Sequence, residues 1–343
     1  MFNLIQKIIK LILISLIIIN LFLSFSLTEF LNQPHGQKSE KKLIFIEKGR
    51  RTKAIAQILY KEGLLPNSLL FRLAYSLYYS SRFLIAGEYQ FLTPVIPKKI
   101  MLDLIAGKIF LHPITIPEGL TCKEIAALLS EKEYPIEGSF LEACRQVEFI
   151  HNFDPKATNL EGYLYPDTYY FSRGVKAENV VRAMVEQFNR VFGEEERKRA
   201  KELGMSIREV VTLASLIEKE TSRPEEKPLI SAVFHNRLRI GMKLDCDPTI
   251  IYALKLQNGF DGNLRLKDKN LDSPYNTYLY PGLPPGPICN PGKESLLAAL
   301  YPARVDFLYF VSRNDGSHIF NHSYSEHLKA VKKYQLKNIR HLR

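Results

Sequence analysis

The stretch ASLIEKETSRPEE holds two glutamates, Glu218 and Glu220, at the end of an apolar helical pattern. On a helix, Glu218 follows Val211, Ala214 and Ser215 along one face, at i−7, i−4 and i−3. A carboxyl pressed against apolar neighbours loses hydration, so its charged form is disfavoured and it can serve as a general acid near neutral pH. Glu220 has a comparable setting with Leu213, Leu216 and Ile217, and burial alone does not choose between the two. A solvated surface acid is the plainer reading of either. Further acids stand in loop-like segments at Glu161, Asp167, Asp245 and Asp247, although Asp247, just before Pro248, also fits as the cap of a helix DPTIIYAL. The segment PYNTYLYPGLPPGP sets Tyr275, Tyr278 and Tyr280 beside Asn276 and Thr277. Flat rings next to amide and hydroxyl groups suit a sugar-binding groove, and a rigid connector is the alternative. His318 in a late hairpin and His327 on the last helix have no third ligand at metal-site spacing. No phosphate loop, zinc-protease pattern or nucleophile elbow is present.

Positioning these side chains requires a frame. Ser206 and Glu209 form a capping-box pattern that opens a helix over 207–220. Upstream, a helix is expected around 177–203. Downstream, Pro224 opens another helix and Gly241 closes it. A Pro/Gly loop over 273–292, a hairpin DFLYFVS–RNDG–SHIFNHS and a helix from Tyr324 complete the C-terminal part. Nearer the N-terminus, LIFIEKGRRTKAIAQILYKEGLL from Leu43 is echoed seventy residues later by PITIPEGLTCKEIAALLSEKEYP, with Ile44/Ile114, Ile46/Ile116, Gly49/Gly119, Ile55/Ile125, Ala56/Ala126 and Leu59/Leu129 identical. Each copy reads as strand, turn and helix. In the first copy a second helix over 68–79 and a strand Gly87–Leu92 follow. Helices mixed with short antiparallel strands predict an α+β fold.

Leu11–Thr28 is uncharged for eighteen residues and follows Lys7 and Lys10. As a helix it is about 27 Å long, near the 30 Å of a bilayer core. It exceeds a signal-peptide apolar region, and LTEFLNQ offers no good cleavage site, so an uncleaved anchor is expected. Lysines on the short leading tail favour a cytoplasmic N-terminus. The expected organisation is a tail (1–10), a transmembrane helix (11–28), a linker (29–42), a first module (43–112) and a larger α+β domain with a basic C-terminal helix (113–343). The formal charge of +11 and pI of 9.3 would suit nucleic acid. Three of those charges lie in 1–42 and six in 327–343, which leaves +2 for the middle of the chain and argues against a nucleic-acid partner. Cys122, Cys144, Cys246 and Cys289 form no C-x-x-C pair and read as buried thiols, though an outside location permits disulfides.

Five ordered segments carry a resemblance: EGYLYPDTYYF (161–171), LASLIEKET (213–221), VFHNRLRIGMKLDCDPTIIYAL (233–254), SPYNTYLYPGLPPGPICNPG (273–292) and YFVSRNDGSHIFNHSYSEH (309–327). Together they resemble the endolytic murein transglycosylases, the MltG or YceG-like family, from Leu43 to His327. The resemblance implies a LysM-like strand–helix–helix–strand module and a catalytic glutamate at Glu218 rather than Glu220. It implies glycan-binding positions at Asp247, Tyr275, Asn276, Thr277 and His318. The chain departs from it in having no Trp, with Tyr163, Tyr165 and Tyr169 at the aromatic places. The implied reaction cuts the MurNAc–GlcNAc bond within nascent strands without adding water, leaves 1,6-anhydro ends, sets strand length and needs no cofactor. Implied partners are peptidoglycan strands, membrane lipid and peptidoglycan synthases, at a bacterial cytoplasmic membrane with the catalytic domain outside. Two alternatives stay open: a hydrolytic muramidase pairing Glu218 with Asp245 or Asp247, and a non-catalytic peptidoglycan-binding scaffold.

Overall fold

The apolar N-terminal run forms one long helix, α1 (Phe2–Asn32), in a computed structural model that describes residues 2–36, 38–132, 134 and 136–336. Residues 29–32, expected in the linker, continue the helix, because nothing between Thr28 and Asn32 breaks it and Pro34 lies just beyond. Chain contacts divide the protein into two units, 1–112 with 170–173, and 113–169 with 174–343.

In the first unit, β1 (Lys41–Ile46), α2 (Thr52–Lys61), α3 (Ser68–Tyr78), β2 (Gly87–Leu92) and α4 (Pro97–Ala106) follow α1. β1 and β2 pair antiparallel, with Ile44 opposite Tyr89. Alternation turns Ile44 and Ile46 inward, where they meet Ile55, Ala56 and Leu59 of α2 and Leu27, Phe30 and Leu31 of α1. The end of the apolar helix is thus part of this core.

From His112 onward the order is β3 (His112–Thr115), α5 (Cys122–Glu131), β4 (Ile136–Glu137), α6 (Phe140–Ala143), β5 (Thr168–Phe171), β6 (Val175–Lys176), α7 (Ala177–Val191), α8 (Glu194–Glu202), α9 (Ile207–Glu220), α10 (Lys227–Arg239), α11 (Asp247–Leu256), α12 (Lys293–Leu300), β7 (Tyr309–Ser312), β8 (His318–Asn321) and α13 (Tyr324–Val331). The fold is mixed α+β, with a helical centre and two-stranded sheets among the described residues. The helix expected over 177–203 is two helices. Gly193 interrupts it and starts α8, its N–H donating to Glu196 Oε2 at 2.9 Å. Pro224 lies in the turn before α10, whose first-turn proline is Pro228. The echoed glycines hold the same place in both copies, and Gly49 (φ 83°) and Gly119 (φ 77°) take the left-handed turn that only glycine adopts without strain. All four cysteines are buried and free. Of the basic C-terminal segment, 337–343 lies outside the described residues.

Candidate active site

α9 is the central helix of the second unit. Ser206 Oγ accepts from the Glu209 N–H (3.2 Å), and Glu209 Oε2 accepts from the Ser206 N–H (2.7 Å), which fixes its start. Val210 to Ile217 are all buried, and α8, α10, α11 and α12 pack around them. Such a helix is a rigid mount, and its last turn carries both glutamates.

Glu218 emerges between the N-termini of α10 and α12. Its Oε2 accepts from Lys227 Nζ (3.1 Å), the Gly292 N–H (3.1 Å) and Ser295 Oγ (2.6 Å). Among the described residues no hydrogen bond falls on Oε1. The Glu218 side chain is 9% exposed and that of Lys227 4%, so the pair is shielded from bulk water. The expected apolar setting for this carboxyl is corrected: Val211, Ala214 and Ser215 are buried beneath it, but the carboxyl itself meets an ammonium, a hydroxyl and a helix N-terminus.

A second carboxylate shares the lysine. Glu118, in the turn of the second echo, has Oε2 4.0 Å from Lys227 Nζ. Burial raises its pKa, the Glu218 charge adds to this, and Lys227 opposes it. Gly292 permits the approach, since a Cβ there would lie 1.9 Å from the Glu118 carboxyl carbon. Asn290 ties the turn down. Its carbonyl accepts from the Gly119 N–H, its N–H donates to Leu120 O, and its side chain bridges the Gly162 and Leu164 N–H groups to Glu161. Glu161 is buried, accepts from the Cys122 N–H (3.0 Å), and burial pushes its pKa up to about 8. It braces the loop, at the wall of a cavity of about 610 Å³ that Cys122, Glu124 and Tyr252 also line.

Two residues along a helix point roughly 200° apart, and Glu220 accordingly faces elsewhere. It lines a cavity of about 510 Å³ with Arg237, Asp245, Asp247, Lys269 and Tyr278. Burial raises its pKa to about 6. A hydrogen bond from the Cys246 thiol lowers it, the Asp247 charge raises it, and His318 and Arg237 lower it. Asp247 does not cap α11. It accepts from Tyr278 Oη (2.6 Å) and pairs with Lys269 (3.1 Å). Asp245 pairs with Arg237 at 3.1 Å, and Asp167 holds Gln187 at 2.7 Å. His318 packs its Nδ1 2.7 Å from Glu226 Oε2 and donates its N–H to Glu226 Oε1 (2.9 Å), with Glu226 adjacent to Lys227 in the chain.

The Tyr275–Thr277 segment is corrected in part. Asn276 is fully buried, and its Nδ2 donates to Lys269 O (3.0 Å) and Leu271 O (2.8 Å). Thr277 is buried and accepts from the Cys246 N–H at 3.0 Å. Both therefore shape the loop, their polar atoms being occupied by protein. Tyr275 is half-buried against the Tyr252 ring, and Tyr280 is exposed. Tyr163, Tyr165 and Tyr169 are buried, Tyr163 against Phe153 and Phe188, so they are core and not a stacking platform.

Sequence reasoning missed Lys227, Ser295, Gly292, Glu118 and Asn290. The first is nine residues from Glu218 and the next two more than seventy, and only folding brings them together.

A family model described as the YceG-like family matches residues 44–333. An endolytic murein transglycosylase of Bacillus subtilis (strain 168) is 33% identical over 312 residues, covering 85% of this chain and 84% of that protein. One from Streptococcus pneumoniae serotype 2 (strain D39) is 28% identical over 318 residues, covering 83% of this chain and 57% of that protein. The crystal structure of a YceG-like protein, lmo1499, from Listeria monocytogenes superposes with a TM-score of 0.58 at 32% identity, covering 84% of this chain and 98% of that one. With the match running from β1 to beyond α13 and enclosing the Glu218 site, this chain belongs to the YceG-like family.

Proposed function

We propose that the chain is a membrane-anchored lytic transglycosylase of peptidoglycan, cutting the MurNAc–GlcNAc bond within glycan strands and leaving 1,6-anhydro-MurNAc ends. The family match and the names of its relatives support the activity class. The observation that carries the site is the Glu218 carboxyl, with one oxygen held by three donors on a rigid helix and the other without a hydrogen bond among the described residues.

In this reading Oε1 of Glu218 carries the proton to the leaving O4 of GlcNAc as the C1–O4 bond breaks. The carboxylate so formed then takes the proton of the muramoyl 6-hydroxyl as its oxygen bonds to C1. The proton returns to Glu218, no water is consumed, and the nucleophile belongs to the substrate, so its proximity is built in. One carboxyl does the work for which hydrolytic glycosidases use two. Lys227 and the α12 N-terminus hold Oε2 still and offset the charge that appears between the two steps.

Asp247, Tyr275 and His318 are proposed to flank the strand, with residues 43–112 as a LysM-like glycan-binding module and 113–343 as the catalytic domain. α1 is proposed to cross the cytoplasmic membrane with the catalytic domain outside, close to new strands and their synthases, where cleavage sets strand length. Mass spectrometry of digested strands tests the reaction. Anhydro-muramoyl ends are expected, and hydrated reducing ends alone would establish a hydrolase. A second assignment of the acid within this reaction is Glu220, favoured by its pKa of about 6 and its place on the 510 Å³ cavity.

A further inference from the structure

The first unit holds an exposed apolar loop at the place where the anchor leaves the membrane. The eighteen uncharged residues Leu11–Thr28 span about 27 Å, which a 30 Å hydrocarbon core takes up entirely. Yet one stripe of α1 is already covered by protein within that stretch. Leu23 packs against the first unit's core, Leu27 belongs to it, and Phe30 and Leu31 follow on the same face. Phe22 and Phe25, on the other face, are exposed. The residues that cover Leu23 and Leu27 therefore lie at the depth of the outer lipid boundary.

Which residues these are follows from chain direction. His35, three residues past the end of α1, pairs with Val95, two residues before α4. α4 packs on α1, so from that starting point it must run back along it. Its ten residues cover about 15 Å, which brings its far end back as far as the level of Phe22 and Leu23 where the two helices run alongside. The loop 79–86 is fastened at that end of α4: the Ile85 N–H donates to Leu104 O (2.9 Å), and Ile85 packs against Gly107. The tip of this loop is Arg82-Phe83-Leu84-Ile85. Phe83 is 87% exposed and Ile85 44%, although phenylalanine and isoleucine are among the side chains most often buried.

We propose that this loop inserts into the outer lipid interface beside α1, Phe83 and Ile85 entering the acyl boundary and Arg82 meeting phosphate headgroups. Snorkelling of Lys7 and Lys10 would shift the helix outward by about a turn, moving the loop from the hydrocarbon edge to the headgroup layer but keeping it in lipid contact. The first unit is then held on the membrane at two points, which fixes its height and orientation instead of letting it swing on the anchor.

This inference rests on α1 crossing the bilayer, and the test separates the two. Full-length protein in vesicles of phosphatidylethanolamine and phosphatidylglycerol is labelled with an environment-sensitive fluorophore at Phe83→Cys, at Ile17→Cys within the span, or at Lys98→Cys at the opposite end of α4. The four native cysteines are buried, so the added thiol takes the label. Label at 83 is expected to be blue-shifted relative to 98 and to lose most of its emission to lipids carrying a shallow nitroxide, while 17 responds to a deep one. Emission at 83 matching 98, with 17 still quenched, overturns the loop insertion and leaves the anchor intact. Aqueous emission at 17 as well removes the anchor and the inference together.

Discussion

The two glutamates that close α9 stand two residues apart and meet opposite surroundings. Glu218 points at two helix N-termini and is held by an ammonium, an amide and a hydroxyl. Glu220 points into a cavity whose thiol and aspartate neighbours leave burial to dominate, and its pKa rises to about 6. A glycosidic acid needs a proton near neutral pH, and on that criterion alone Glu220 is the better candidate. A site that must release and recover one proton also needs its carboxylate stabilised in between, and that is what surrounds Glu218. A raised pKa and preorganised donors are different ways of building an acid–base residue, and this helix offers one of each.

The largest effect should come from splitting the pair. Glu218→Gln keeps the shape and the hydrogen bonds of Oε2 but cannot give or take the proton, and strand cleavage should fall by about 10² to 10⁴-fold. Glu220→Gln should leave the rate within a few-fold. Anhydro-end formation measured for both variants, with melting curves to show that each is folded, decides between them. The reverse result would move the reaction to the 510 Å³ cavity. Next in size is Lys227→Met. A hydrogen bond to a charged group is worth about 1.5–3 kcal/mol, so cleavage should drop by roughly ten- to a hundredfold at saturating substrate, while Lys269→Met on the Glu220 side should be near wild type.

Glu118 should matter less. Half-exposed and 4.0 Å from Lys227, it competes with Glu218 for the ammonium. Glu118→Gln hands the lysine to Glu218 alone. Strand cleavage should then fall by only a few-fold. Gly292→Ala should reproduce that small loss, because a Cβ at 292 occupies the space of the Glu118 carboxyl and a flexible side chain can move aside cheaply. A wild-type cleavage rate in both variants would reduce Glu118 to a bystander.

Much of this frame is legible in the sequence where the signal is local. The capping box Ser206–Glu209 and the apolar run after it place α9 to the residue, and the echoed glycines mark two left-handed turns. The single helix expected over 177–203 breaks at Phe192 and Gly193, where α7 ends and α8 begins on a highly charged run that carries no apolar period to join them. Polar residues misled more often. Asn276 and Thr277 read as sugar ligands by type, but a Pro/Gly loop that crosses a core must satisfy its own backbone, and these side chains do so. Lys227, Gly292 and Ser295 carry no local pattern at all. Their meeting at Glu218 is set by how α10 and α12 pack on α9, and sequence spacing does not encode that.

The smallest effect on rate, and the sharpest control on the comparison, comes from Glu161. Burial raises it even further than Glu220, to about 8, yet its oxygens are spent on the Cys122 N–H and the Asn290 amide. If a raised pKa marked the reacting acid, Glu161 would be the choice, and its position as a loop brace argues that it is not. The linkage gives it a separate signature. A carboxyl whose folded pKa lies above its ordinary 4.5 supports the fold fully below that value, and this support is lost as pH climbs toward 8. Wild-type stability should therefore decline between about pH 4.5 and 8, this group contributing a slope of up to about 1.4 kcal/mol per pH unit. Glu220 adds to the decline only up to about pH 6. Glu161→Gln should flatten the pH 6–8 part of a urea-melt series while cleavage stays within a few-fold of wild type. A slope that survives the substitution would mean that Glu161 is already ionised at neutral pH. Burial would then be a poor guide to which carboxyl holds a proton in this unit, and the case for Glu220 would weaken with it.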